Sequence, residues 1–225
     1  MPAYSGKRGE QMINDNVIKV LVVDDHPIVR RGLTTEINLD RGMLVVGEAV
    51  DGLEAVDQYK LLIPDVVLMD LVMPNKDGIQ ATQEIISFHP EARILVLTSF
   101  VDEEKIFEVI KAGALGFIYK DKHPDKLLEA IRDIFNDVPV LAPNITRKLM
   151  RETQTKKNAL PSQELTDREM EVLKLVASGK PYKEIAHSMH VQEATIRTHV
   201  SNILGKLNLS NRSQLVLYAV EHQLL

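Results

Sequence analysis

The stretch IKVLVVDD at residues 18–25 decides the fold. It is too short for a helix of its own. It is also too evenly apolar for a strand with one wet face, so it reads as a strand buried on both sides. It ends abruptly in two carboxylates, Asp24 and Asp25. Working outward, the same form recurs in LVVGEA at 44–49, VVLM at 66–69 followed by Asp70, ILVL at 94–97 followed by Thr98 and Ser99, and GFIY at 116–119 followed by Lys120. Amphipathic stretches near 28–38, 53–62, 79–88, 103–112 and 125–135 separate these runs. A strand followed by a helix, five times over, predicts an α/β fold: a five-stranded parallel, doubly wound sheet with helices on both faces.

In such sheets ligands bind beyond the carboxyl ends of the strands. Four strands end in polar residues there, so Asp24, Asp25, Asp70, Thr98, Ser99 and Lys120 should share one rim. A single Asp at a strand end is usually only a turn or helix cap. Four coordinated endings are harder to assign to capping. Three carboxylates in one pocket repel unless a cation neutralises them, and an oxygen-seeking Mg²⁺ suits them. Lys120 and a hydroxyl could then hold the oxygens of a phosphoryl group carried by Asp70.

The rhythm breaks after residue 135. Pro139, Pro143, Pro161 and the polar run TQTKKN mark residues 136–161 as a linker, with room for one short helix at 145–152. Residues 1–16 read as a disordered extension. Beyond the linker, Thr166-Asp-Arg-Glu169 has the form of a capping box at a helix start. Three more helices follow, near 182–188, 193–207 and 210–221, so residues 162–225 are expected to form a small all-α domain and 17–135 the α/β domain. In the third helix Ile196, Val200, Ile203, Leu204 and Leu207 form an apolar stripe, with Ala194, Arg197, Thr198, Ser201 and Gly205 opposite. A face of small, hydrogen-bonding residues around one Arg suits a major groove. A plain packing module with a solvated Arg fits the periodicity equally well.

Charge follows the same division. Residues 1–150 hold about 17 basic and 24 acidic side chains, and residues 151–225 about 10 and 8, within a net charge of -5. The absence of Cys excludes disulfides and thiolate metal clusters. No apolar run reaches the ~18 residues of a membrane span, and a cytoplasmic protein without a membrane partner is expected.

Asp24-Asp25, Asp70 followed by Leu-Val-Met73-Pro74 and Asp77-Gly78, Thr98, and Gly116-Phe-Ile-Tyr-Lys120 resemble the receiver domain of two-component response regulators. The resemblance implies Asp70 as phosphoacceptor and a Mg²⁺ held by Asp24, Asp25, Asp70 and the Val72 carbonyl. It makes Lys120 the partner of the phosphoryl group, Thr98 the hydroxyl that moves toward it, and Phe117 the aromatic switch, where Tyr is commoner. Leu165-Thr-Asp-Arg-Glu169, Gly179, Lys183-Glu-Ile-Ala186 and Thr198-His-Val-Ser-Asn-Ile-Leu204 resemble the LuxR-type DNA-binding domain. That likeness implies base contacts from Arg197, Thr198 and Ser201. Phosphate contacts fall to Lys183, Thr195, His199, Asn202 and Lys206, and dimer packing to residues 213–220. Gln192 stands where a Ser or Thr cap is usual, Ala194 where Lys is frequent and Tyr182 where Asn is frequent.

Together these identify the chain as similar to NarL/FixJ-family response regulators, with a fainter likeness at 98–104 to regulators of the LiaR/VraR kind. The expected function is a non-enzymatic transcription factor phosphorylated by a sensor histidine kinase. Phosphorylation would promote homodimerisation and binding to double-stranded DNA, with RNA polymerase as a further partner. The alternative keeps the receiver but makes the helical module a protein-interaction surface. An aspartyl phosphatase of the haloacid-dehalogenase kind would need an Asp two residues after its nucleophile, where this chain has Val72. Val72 and Phe100 cannot orient an attacking water, so slow self-dephosphorylation is expected.

Overall fold

The computed structural model describes residues 17–99, 103–121, 123–141, 165–209, 211–222 and 224. Strands β1 (Ile18–Val23), β2 (Met43–Ala49), β3 (Val66–Asp70), β4 (Ile94–Thr98) and β5 (Gly116–Tyr119) form one sheet in the order β2-β1-β3-β4-β5. Every pairing is parallel. Helices α1 (Pro27–Leu39), α2 (Gly52–Leu62), α3 (Gly78–Phe88), α4 (Glu103–Ala112) and α5 (Pro124–Phe135) connect the strands or follow the last.

Burial explains the unbroken apolar runs. Leu21, Val23, Val67, Met69, Ile94 and Val96 point to one face, where they meet α2, α3 and α4 through Ala55, Tyr59, Ile85, Ile106 and Ile110. Val20, Val22, Val66, Leu68, Leu95 and Leu97 point to the other, against Ile37 of α1 and Leu127, Ile131 and Ile134 of α5. Successive strand residues alternate faces, and both faces are covered, so the middles of β1, β3 and β4 are left to apolar side chains. Polar residues therefore cluster where the strands end.

The α/β domain runs past the boundary expected at residue 135. Asp137, at φ 62, turns the chain back, and Val140 pairs with Gly116 at the open edge of β5. Phe117 N donates to Val140 O at 3.0 Å and Val140 N to Leu115 O at 3.2 Å. An edge strand has unpaired backbone groups to offer, and this segment satisfies them. The extension at 1–16 and the short helix at 145–152 lie outside the described residues.

Four helices form the second domain: α6 (Asp167–Ala177), α7 (Tyr182–Ser188), α8 (Glu193–Leu207) and α9 (Arg212–Glu221). Val172, Leu173, Val176, Ile185, Ile196, Val200, Ile203, Leu215 and Ala219 form its core. The capping box opens α6, with Glu169 N donating to Thr166 Oγ1 and Thr166 N to Glu169 Oε2. Gln192 opens α8 without a side-chain cap.

Candidate functional site

Topology sets the first site. Because β1, β3, β4 and β5 end side by side, Asp24, Asp70, Thr98 and Lys120 come together at one edge of the sheet. Asp24 is fully buried, and Asp70 and Thr98 nearly so. The Lys120 ammonium bridges two carboxylates, 2.7 Å from Asp24 Oδ2 and 2.8 Å from Asp70 Oδ2. Leu71 N donates to the other Asp70 oxygen at 2.8 Å, and His26 N to Asp24 Oδ1 at 2.8 Å. Asp25 is more open and meets His26 Nδ1 at 2.7 Å. A cavity of about 400 Å³ opens here, lined by Asp25, His26, Asp70, Val72, Thr98, Lys105 and Lys120 among others.

The donor set suits a hard divalent cation. One ligand atom each from Asp24, Asp25, His26 and Asp70 lies within 4.8 Å of all the others. Buried Asp24 Oδ2 meets Lys120 without a well-aligned hydrogen bond, which leaves it lone-pair capacity for a cation. Oxygen donors of this kind are those Mg²⁺ takes. Burial pushes the Asp70 carboxyl above its usual range, and the Lys120 hydrogen bond and charge only partly oppose this. Burial works against the charge on Lys120, but its close contacts with the Asp24 and Asp70 carboxylates together outweigh it and raise the ammonium pKa.

Regular pairing of β4 with β5 aims Phe117 and Tyr119 to the same face. Their rings meet edge-on at 5.5 Å, with Phe117 buried. Phe100 lies outside the described residues, while Val72 is 58% exposed at the mouth of the cavity.

In the helical domain, α7 and α8 form a helix-turn-helix. Lys183, Thr195, Thr198, Ser201 and Asn202 are exposed, and His199 is half-buried. The Lys206 ammonium sits 2.7 Å from Glu169 Oε2 and so doubles as a strut inside the domain. That contact comes first among those that bring the Glu169 carboxyl down to about 2.

The comparisons with known proteins match both units. The family described as "Response regulator receiver domain" covers residues 20–132, and "Bacterial regulatory proteins, luxR family" covers residues 163–219. The chain is 42% identical over 209 residues to the transcriptional regulatory protein LiaR of Bacillus subtilis, spanning 92% of this chain and 99% of that one. It is 38% identical over 208 residues to the response regulator VraR of Staphylococcus aureus, with the same coverage. The chain belongs to the LuxR-type response regulators. A solved structure described as two RcsB dimers bound to two parallel DNAs matches with a TM-score of 0.54 at 26% identity, over 92% of this chain and 99% of that one. This response regulator is thus a transcription regulator with a receiver and a DNA-binding domain. Among its described residues no helix is long and apolar enough to cross a membrane.

The two domains of the response regulator dock on each other, a feature the sequence reading lacked. Arg197 of α8 points at the receiver, 3.3 Å from Glu91 and 3.4 Å from Asp137, and 2.8 Å from Glu193 of its own helix. Asp137, itself buried, also accepts from Arg93 at 2.9 Å. Tyr182 lies between two guanidinium groups, 5.0 Å from Arg197 and 4.3 Å from Arg212. At the start of α9, Ser213 Oγ donates to Ala114 O at 2.7 Å and Gln214 Nε2 to Lys111 O at 3.0 Å, capping the last turn of α4. Gly113 is required there: its φ is +119, and a Cβ would crowd Ile86 and Asn211. Asn211 Nδ2 and two Arg212 nitrogens are buried without hydrogen-bond partners. Each such group costs about 1–3 kcal/mol, which counts against the docked arrangement.

His26, Glu91 and Asp137 escaped the sequence reading. His26 had a signal, its place directly after Asp24-Asp25. Glu91 and Asp137 had none, since their contacts span 106 and 60 residues.

Proposed function

We propose that Asp70 is the phosphoacceptor and that its phosphorylation by a sensor histidine kinase releases the DNA-binding domain. The observation that carries this reading is the Lys120 ammonium held between Asp24 and Asp70 at 2.7 and 2.8 Å. A carboxylate oxygen of Asp70 attacks the donor's phosphorus; a new O–P bond forms as the bond to the donor breaks. Lys120 pairs with the phosphoryl oxygens, and the Thr98 hydroxyl is drawn toward them. Asp24, Asp25, Asp70 and the Val72 carbonyl would hold Mg²⁺, which when bound would neutralise charge on the transferring group. Two residues after Asp70 stands Val72, which offers no acid for a leaving group, and this supports reading the protein as a stoichiometric switch rather than an enzyme.

The new charge at Asp70 withdraws Lys120 from Asp24 and moves Thr98 at the end of β4, and Phe117 repacks. Helix α4 follows β4 and carries the docking site of α9, so the disturbance reaches the domain contact. Release frees Arg197 for a base edge, with Thr198 and Ser201 beside it and Lys183, Thr195, His199, Asn202 and Lys206 toward phosphates. Two released copies dimerise through residues 213–220 and address two half-sites in cytoplasmic DNA, with RNA polymerase as the onward partner.

The test is a mobility-shift titration with and without a small acyl phosphate, alongside Asp70→Ala. Wild-type protein should gain acid-labile phosphate and DNA affinity, and the variant neither. Undiminished acid-labile phosphate in the variant would overturn the assignment of Asp70.

A further inference from the structure

The loop from β3 to α3, residues 71–77, carries Val72 but has no regular structure to fix its backbone. Its ends are tied close to Asp70. Leu71 N donates to Asp70 Oδ1, and Gly78 N to Leu71 O at 3.1 Å. A Cβ on Gly78 would lie 2.1 Å from Asp70 O, so the loop closes more tightly than any side chain there permits. At its far side Asn75 sits at φ 61, in the left-handed region.

That far side is held by another element. Asp51, nine-tenths buried, caps α2 with one oxygen, which accepts from Leu53 N and Glu54 N at 2.9 Å each. Its second oxygen accepts from Asn75 Nδ2 at 2.6 Å. Next to it Gly52 N donates to Lys76 O at 2.9 Å. Helix α2 is itself seated in the core through Ala55, Val56 and Tyr59, so these anchors are rigid. The Asp51 carboxyl lies below its usual range, chiefly through the Glu54 N–H and then Asn75, and stays ionised.

We propose that Asp51 is a positioning residue for the divalent-cation site, holding residues 71–77 through Asn75 so that the backbone of Val72 stays at the wall of the carboxylate pocket. This rests on the metal reading above. Partners outside a metal's own ligands that orient those ligands matter because a displaced ligand costs affinity directly.

The chemistry of the pair provides its own controls. Asp51→Asn keeps an oxygen for the α2 cap, since Asn caps as well as Asp, but turns an amide toward the Asn75 amide, donor against donor. Asn75→Gly keeps the left-handed backbone and removes the side chain. The double exchange, Asp51→Asn with Asn75→Asp, restores a donor facing an acceptor.

Calorimetric titration of full-length protein with Mg²⁺ alone, paired with thermal melting, reads the result. Each single substitution should weaken Mg²⁺ binding about tenfold, and the double exchange should recover most of the loss. Single variants that bind Mg²⁺ like wild type would overturn the proposal. So would a double exchange that recovers melting temperature but not Mg²⁺ affinity. Wild-type protein that binds no Mg²⁺ would instead overturn the metal reading beneath it.

Discussion

Asp24, Asp70 and Lys120 share a pocket because parallel strands end side by side, whereas Arg197 meets Glu91 and Asp137 because two separately cored domains dock. The first arrangement is held by strand register and by burial on both faces of the sheet. The second is held by two ion pairs from Arg197 and two hydrogen bonds from the start of α9 to the end of α4 and the turn after it. Register cannot shift without moving every side chain to the wrong face, while docking leaves Asn211 Nδ2 and two Arg212 nitrogens buried and unpaired. On the proposed reading the strand-held region is where the signal would be written, and the docked contact is where it would be read.

The largest way to break this comparison is to remove the group that both states contest. Arg197→Ala should cost roughly 1–3 kcal/mol of affinity for the specific site and relax preference at one position per half-site. Removing a docking partner acts in the opposite direction. Glu91→Gln should raise the DNA affinity of unphosphorylated protein by about two- to fivefold, in line with one half-exposed ion pair. Mobility shifts on specific and random DNA separate the two effects. If Glu91→Gln weakens binding or Arg197→Ala leaves specificity intact, the contested-arginine picture fails.

A smaller effect sharpens the rigid side. Burial raises the Asp70 carboxyl, and only the ionised form attacks phosphorus, so phosphorylation by a small acyl phosphate should fall as pH drops through that raised value. Mg²⁺ favours the ionised form, so added Mg²⁺ should move this acid limb to lower pH. The sign for stability is the reverse of a salt-bridged carboxylate. An acid whose pKa is raised on folding destabilises the fold when ionised, and that cost is lost as pH falls through the raised value. Asp70→Asn should therefore melt higher than wild type at neutral pH, with the gap closing on acidification. A gap that widens with acid would contradict the burial argument.

Much of this was legible before the structure. Residues 18–25 and 66–70 announced buried parallel strands, and their polar ends placed Asp24, Asp70, Thr98 and Lys120 on one rim, because a sheet covered on both faces leaves polar groups only at its ends. Thr166 and Glu169 announced a helix start through a local motif. Val140 was hidden because an edge-strand pairing over a prolyl segment leaves no periodic trace. Glu91 and Asp137 were hidden for a different reason: an acidic residue at a helix end or turn looks the same whether it faces water or another domain. The role of Lys206 was half visible, since a basic residue late in α8 suits a phosphate, while its pairing with Glu169 depends on how α6 packs across it.

The central claim is that phosphorylation opens the contact holding Arg197, and a spin-label distance between the domains tests it most directly. The chain has no cysteine, so labels at Ser87→Cys on α3 and Lys174→Cys on α6, both exposed, would be the only ones. Without phosphodonor the account predicts one narrow distance distribution. With Mg²⁺ and a small acyl phosphate it predicts a longer, broader one, absent when Asp70→Ala is added. An unchanged distribution in protein shown to carry acid-labile phosphate would contradict it.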